Sequence, residues 1–235
     1  MTARRVLLSW SSGKDSAWAL HVLRQQPDLE VVGLLTALNE AADRVAMHAV
    51  RRELVEAQAA AAGLPLWPVH LPWPCSNEEY ERRMSAVIHQ AKPAGITHAA
   101  FGDLYLEDVR AYRIRQLRAT GIEPLFPLWG GVDETSALAV RMVEAGLKAV
   151  LTCIDPKQLS ASFVGRWYDA ALLADLPAAV DPCGEHGEFH TFCFDGPMFS
   201  HPIPIRVGEI VSRDGFCFAD VTPEVPSDLS LGRVP

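Results

Sequence analysis

Cysteine is scarce in this sequence: Cys75, Cys153, Cys183, Cys193 and Cys217 make five, an odd number with no CxxC pair. That spacing carries no zinc signature and argues against a disulfide framework. No run of Lys or Arg exceeds two residues, and the formal charge is −8. Binding to nucleic acid without sequence preference depends on neutralising phosphates, so nucleic acid is not an expected partner. No apolar stretch approaches the roughly 20 residues of a membrane helix. The early apolar stretch Val6–Leu8 is too short for the core of a signal peptide, so the expectation is a cytoplasmic protein without a membrane partner. Internal repeats and low-complexity tracts are missing too, and so is the GxxxxGK[ST] phosphate loop.

What is present is material for a core. Hydrophobic residues make up 49% and charged residues 21% of the 235 positions, values ordinary for a globular chain. Compact apolar runs at Val6–Ser9, Val31–Thr36, Leu66–Leu71 and Ala99–Phe101 read as buried strands. Amphipathic stretches at Ser16–Gln26, His48–Ala62, Asn77–Lys92 and Val109–Thr120 read as helices, three of them stopped by Gly63, Pro93 and Gly121. This alternation predicts an α/β fold, a doubly wound, mostly parallel, Rossmann-like sheet.

The rhythm changes after Pro124. A helix is expected over Thr135–Ala145, a strand over Ala149–Cys153, a helix over Ser162–Ala174, and a hairpin of Ile205–Val211 with Phe216–Val221 about Asp214-Gly215. The expected organisation is a first domain over 1–125 and a smaller α+β domain over 126–235. The tail Pro223–Pro235 reads as loosely ordered.

Between the first strand and first helix lies Ser9-Trp10-Ser11-Ser12-Gly13-Lys14-Asp15-Ser16. Small residues let backbone N–H groups approach an anion, and the following helix aims its N-terminus at the same point. The hydroxyls of Ser11, Ser12 and Ser16 and the Lys14 charge suit phosphate. The bland alternative is a polar turn in which Asp15 or Ser16 caps the helix. Farther on, Gly184, Glu185, Gly187 and Glu188 form a glycine-rich turn. It could aim both carboxylates into one site for Mg2+, for an amine, or as a general base; solvated loop acids are the alternative. Cys183, His186 and His190 in the same loop are weak evidence for a metal site.

Ser11–Ser16 resembles the SGGxDS PP-loop of the ATP pyrophosphatases, also called adenine nucleotide alpha hydrolases, with Ser12 where the usual pattern has Gly. The order of Phe101-Gly102-Asp103, Arg110, Pro127-Leu128-Trp129-Gly130, Gly165-Arg166, Gly184-Glu185-His186-Gly187-Glu188-Phe189-His190-Thr191 and Asp195-Gly196-Pro197-Met198-Phe199 is similar to that of the diphthine–ammonia ligase family, in a bacterial-type member. The resemblance runs from Leu7 to Phe199. It implies ATP and Mg2+ as cofactors, with Ser9, Ser11, Ser12, Gly13, Lys14, Asp15, Ser16, Gly102 and Asp103 around the nucleotide and Asp103 near the ATP-borne magnesium. Lys14, Asp15, Glu185 and Glu188 become the catalytic candidates, and Arg110, Arg166 and His190 the substrate-side ones. His190 stands where some archaeal and eukaryotic relatives carry Glu.

The implied reaction activates a carboxylate, small or protein-borne, as its adenylate with release of pyrophosphate, and then transfers ammonia to it. Two rival readings are a PP-loop tRNA-modifying enzyme with an essential Cys153 or Cys75, and a non-catalytic adenine-nucleotide-binding regulator. A homodimer is the default assembly.

Overall fold

The computed structural model describes residues 3–45 and 48–224. Its first sheet is built from β1 (Arg4–Ser9), β2 (Leu29–Asn39), β4 (Leu66–Leu71), β5 (His98–Ala100) and β6 (Glu123–Leu125), all parallel, with the short β3 (Arg44–Val45) antiparallel to the end of β2. The chain moves outward from β1 to β2 and β4, then returns to the other side of β1 for β5 and β6. Strand order therefore reverses between β1 and β5, the position where open α/β sheets gather ligands at the carboxyl ends of their strands. The loops after β1 and β5 carry Ser11–Ser16 and Gly102-Asp103.

Alternation along β1 explains the layering. Val6 and Leu8 face one side with helices α1 (Lys14–Arg24) and α2 (Arg52–Ala62), whereas Leu7 faces the other with α3 (Asn77–Ala91) and the end of α4 (Glu107–Leu117). Side chains in a strand alternate between faces, and an apolar residue at every β1 position from Val6 to Leu8 means both faces are covered. The Ser76 hydroxyl caps α3 through the Glu79 N–H at 3.2 Å.

The second sheet is antiparallel and centres on β7 (Lys148–Ile154). Along one edge runs β9 (Phe189–Asp195); along the other lie β8 (Trp167–Tyr168) and β11 (Phe216–Pro223), with β10 (Ile205–Arg213) outermost. Helix α5 (Thr135–Glu144) covers this sheet with α6 (Ala170–Asp175). The expected hairpin turns at Asp214 and Gly215, whose φ values of 53° and 83° are those of a tight two-residue turn.

Several expectations are corrected. The helix expected over Ser162–Ala174 is a 3-10 turn, the strand β8, and only then α6. Gly165 takes φ +79°, which ends any helix there, and β7 claims Trp167 and Tyr168 as edge partners. Helix α2 starts at Arg52 rather than His48, because Ala49 turns left-handed at φ +56°. Strands β6 and β9 are additions, β9 lying inside a segment that reads as a motif rather than as a strand. Of the expected loose tail, the residues from 225 onward lie outside the described residues; β11 runs to Pro223.

One apolar cluster runs from β1, α1 and α2 through to β7, β9 and α5, so the two sheets share a core. No helix among the described residues is long and apolar enough to cross a membrane.

Candidate active site

The loop after β1 is fastened to the edge of the second sheet. The Ser12 carbonyl accepts from the Cys193 N–H at 2.9 Å, and the Lys14 N–H donates to Thr191 Oγ1 at 3.1 Å, both partners on β9. Gln58 of α2, fully buried, donates to the carbonyls of Ser12 and Cys193 and accepts from Trp10 Nε1. Gln58 lies outside every motif of the sequence, and Thr191 closes one without a role assigned to it. A lone buried Gln in a helix gives no sign of its partners, which come from other elements.

Ser12 occupies the left-handed region at φ +70°, with a buried Oγ that has no partner. The likeness to the PP-loop puts Gly here, and the structure gives the reason: the turn needs a conformation that costs an L-residue roughly 1–2 kcal/mol. Gly13 is tight for a different reason. A Cβ there would stand 3.2 Å from the Thr191 carbonyl oxygen and 3.3 Å from His48 Cε1. Gly102 is tight too, since a Cβ would stand 3.0 Å from the Asp15 carbonyl carbon and the Ser16 nitrogen. Its smallness lets the β5 loop pack directly on the start of α1.

A cleft of about 280 Å³ opens over this junction, lined among others by Ser9, Ser11, Lys14, Asp15 and Ser16 on one side and Glu185, His190 and Thr191 on the other. No side chain caps α1, whose N-cap is Gly13; the turn reading, with Asp15 or Ser16 as cap, is therefore replaced by a helix start facing the cleft. The Ser16 hydroxyl donates to the Gly13 carbonyl at 2.9 Å. Lys14 is buried, and its Nζ bonds both Asp15 oxygens, at 2.9 and 2.8 Å, and the Cys183 carbonyl. Burial pulls the Lys14 pKa down, but the Asp15 carboxylate outweighs it and holds the ammonium above its ordinary value.

Glu185 reaches across from the glycine turn. Its Oε1 accepts from the Leu104 N–H at 3.0 Å, and burial pushes its pKa up to about 7, with Asp15 and Asp103 adding to the rise. Asp103 pairs with Arg113 Nε at 3.4 Å, and burial raises its pKa as well. His190 stacks against His48 with ring centroids 4.5 Å apart, and burial lowers it to about 4.

Three expected site residues stand elsewhere. Glu188 does not share the cleft with Glu185: its two oxygens accept from the Asp181 and His186 N–H groups, each at 2.9 Å, so it shapes the turn from inside. Arg110 lies over the Trp129 and Phe126 rings, at 4.6 and 5.4 Å, outside the cleft lining. Arg166 pairs with Asp175 at 2.7 Å and lies over Phe163. In their place the cleft holds Arg113 and His48. Arg113 sits one helical turn from Arg110 on α4, and register alone does not say which of the two faces inward.

The thiols give little to work with. Cys153 and Cys75 do not line the cleft. Cys183 does, but burial pushes both its thiol and that of Cys153 up to about 12, so neither supplies thiolate at neutral pH.

A Rossmann-like sheet whose switch point carries a helix N-terminus and the buried Lys14 paired with part-exposed Asp15 defines an α/β protein with a loop suited to an anion at that point. The sequence profile described as "Diphthamide synthase N-terminal domain" matches residues 4–124, and "Diphthamide synthase C-terminal domain" matches 134–223. The chain belongs to the diphthamide synthase family. It is 27% identical over 239 residues to a diphthine–ammonia ligase of Danio rerio, covering 92% of each chain. To that of Bos taurus it is 24% identical over 244 residues, covering 92% of this chain and 88% of the other. With those relatives, the chain is an ATP-dependent ligase. A solved structure described as a putative dehydrogenase from Bordetella bronchiseptica aligns at 14% identity with a TM-score of 0.29, over 95% of this chain and 61% of that one, too low to carry an argument.

Proposed function

We propose that this ligase forms an amide from a substrate carboxylate and ammonia, converting ATP to AMP and pyrophosphate. The observation that carries the reading is the convergence of the loop Ser11–Ser16 and Glu185, from opposite halves of the chain, on one cleft. The carboxylate attacks the α-phosphorus, the bond to the β-phosphate oxygen breaks, and pyrophosphate leaves with the electron pair. Ammonia then attacks the acyl carbon of the adenylate, AMP departs, and one proton is lost from nitrogen.

Each residue has a part in this scheme. The start of α1 and the hydroxyls of Ser11 and Ser16 bind phosphate, and Lys14 counters the charge of the departing pyrophosphate. Asp15 keeps that ammonium charged and in place. Glu185, half ionised near pH 7, takes the proton from the attacking ammonia. Ser9 and Gly102 shape the nucleotide side, and Arg113, rather than Arg110 or Arg166, meets the substrate carboxylate.

For magnesium, no three His, Cys, Asp or Glu side chains converge among the described residues, so the chain offers no cage of its own. The fit is to an ion carried on the triphosphate, which Asp103, one of the carboxylates lining the cleft, would help to hold. Such an ion neutralises phosphate charge.

The substrate remains a class, a small or protein-borne carboxylate, and His190 is the residue we assign to distinguishing it from diphthine. The test is pyrophosphate release from ATP and ammonium across a panel of carboxylic acids and diphthine-bearing protein. Lys14→Ala and Asp15→Ala should each abolish release while leaving the far-UV spectrum unchanged. Release at the wild-type rate in both variants, or formation of ADP and phosphate, overturns the reading.

A further inference from the structure

Helix α2 buries Leu54, Val55, Ala59, Ala61 and Ala62, and among them one amide, Gln58. An apolar side chain would serve packing better there, since burying an amide costs free energy unless its groups are bonded. Both ends of Gln58 are bonded. Its Oε1 accepts from Trp10 Nε1 at 2.8 Å, and its Nε2 donates to the carbonyls of Ser12, at 2.9 Å, and Cys193, at 2.5 Å. An indole N–H only donates and a carbonyl only accepts, so the amide has a single orientation.

What the amide holds is a strained turn. Ser12 lies at φ +70° beside Gly13, the N-cap of α1, and its buried Oγ has no partner. The side chain therefore does nothing to favour that conformation. The carbonyl does: it accepts from Gln58 Nε2 and from the Cys193 N–H, each at 2.9 Å. A left-handed non-glycine residue persists only where its surroundings over-determine it. With Ser12 so turned, the chain leaving β1 swings into α1, and Ser11, Lys14 and Ser16 line one cleft.

We propose that Gln58 is a positioning residue for nucleotide binding: by donating to the Ser12 carbonyl it keeps the phosphate loop in its binding conformation before ATP arrives. This rests on the reading that ATP phosphates occupy the Ser11–Ser16 loop. Gln58 itself does not line the cleft. Without its donation, ATP has to impose the left-handed turn, and that cost for an L-residue converts to about 5- to 30-fold in affinity. Glycine takes the same turn without the cost, so the need for Gln58 is tied to the serine at position 12.

The experiment is calorimetric titration of Mg-ATP into the full chain, Gln58→Met, Ser12→Gly and the double variant. Gln58→Met should weaken binding about 5- to 30-fold when residue 12 is Ser. In the Ser12→Gly chain the same substitution should change affinity by no more than about 2-fold. Gln58→Glu keeps the size and the acceptor for Trp10 Nε1 but loses the donors, and should show the same pattern. In 15N-labelled wild type, the Gln58 side-chain amide protons should exchange slowly before ATP is added, a measurement that needs no variant to fold. Wild-type affinity in Gln58→Met, an equal loss in the Ser12 and Ser12→Gly chains, or fast exchange without ATP would overturn the inference while leaving the nucleotide site standing. A wild-type chain that binds no ATP removes the site itself, and this inference with it.

Discussion

Glu185 shows how a single carboxylate is tuned by its surroundings. Burial raises its pKa from 4.5 to about 7, because removing the carboxylate from water disfavours its charged form, and the nearby Asp15 and Asp103 add a smaller rise. Two consequences have opposite signs. As a base it works only when ionised, so amide formation should rise with pH through about 7, and Glu185→Gln should abolish that rise. For stability, the folded-state value lies above the unfolded one. The protonated form therefore stabilises the fold fully below pH about 4.5, and that contribution is lost as pH climbs to about 7. Glu185→Gln should match wild type near pH 4.5 and melt several degrees higher at pH 8, measured by calorimetry at both pH values. The identity of this residue as a candidate was legible from the glycine turn around it. Its separation from Glu188 was not, since three residues of spacing in a loop do not fix where either carboxylate points.

At the scale of the element, the segment 181–188 is a wound turn organised from within by Glu188. Gly184 and Gly187 take φ values of 70° and 80°, and a Cβ on Gly184 would stand 2.8 Å from the Phe189 carbonyl oxygen. The Tyr105 hydroxyl ties the outside of the turn to the β5 loop, donating to Asp181 at 2.6 Å and lying 2.9 Å from His186 Nε2. Glu188→Gln replaces one of two acceptor oxygens with an amide nitrogen facing a backbone N–H. It should cost about 1–3 kcal/mol, read as a lower urea midpoint, with faster amide exchange at Asp181 or His186. Protection at both amides equal to wild type would deny Glu188 its internal role. Helix α4 illustrates the same limit: its existence was visible in the sequence, but its choice of Arg113 over Arg110 for the cleft depends on how it rolls against β5 and β6.

At the scale of the molecule, the two sheets share one apolar cluster, and the phosphate loop hydrogen-bonds to β9 of the second. We propose that the units 1–125 and 126–235 divide the sheets but not the stability. We expect calorimetry of the full chain to show a single transition. A fragment ending at 125 should fail to fold, since α1 and α2 would expose the faces they bury against β9 and β11. A cooperative melt of the isolated fragment would establish two independent domains instead.

The sequence by itself determined the α/β alternation, the loop after β1 and the glycine turn, because these are local: apolar periodicity, small residues and turn chemistry act within a few positions of where they are written. The tertiary structure alone decided that β9 threads beside β7 and buttresses that loop. It also placed Glu188 inside the turn, turned Arg113 inward, and brought His48 into the cleft. Glu188 and Arg113 find their partners within ten positions, yet local spacing does not encode which way either side chain points. The seating of β9 and His48 rests on contacts between residues more than a hundred positions apart, such as Lys14 with Thr191. Only the packing of one sheet's helices against the other sheet brings such pairs together.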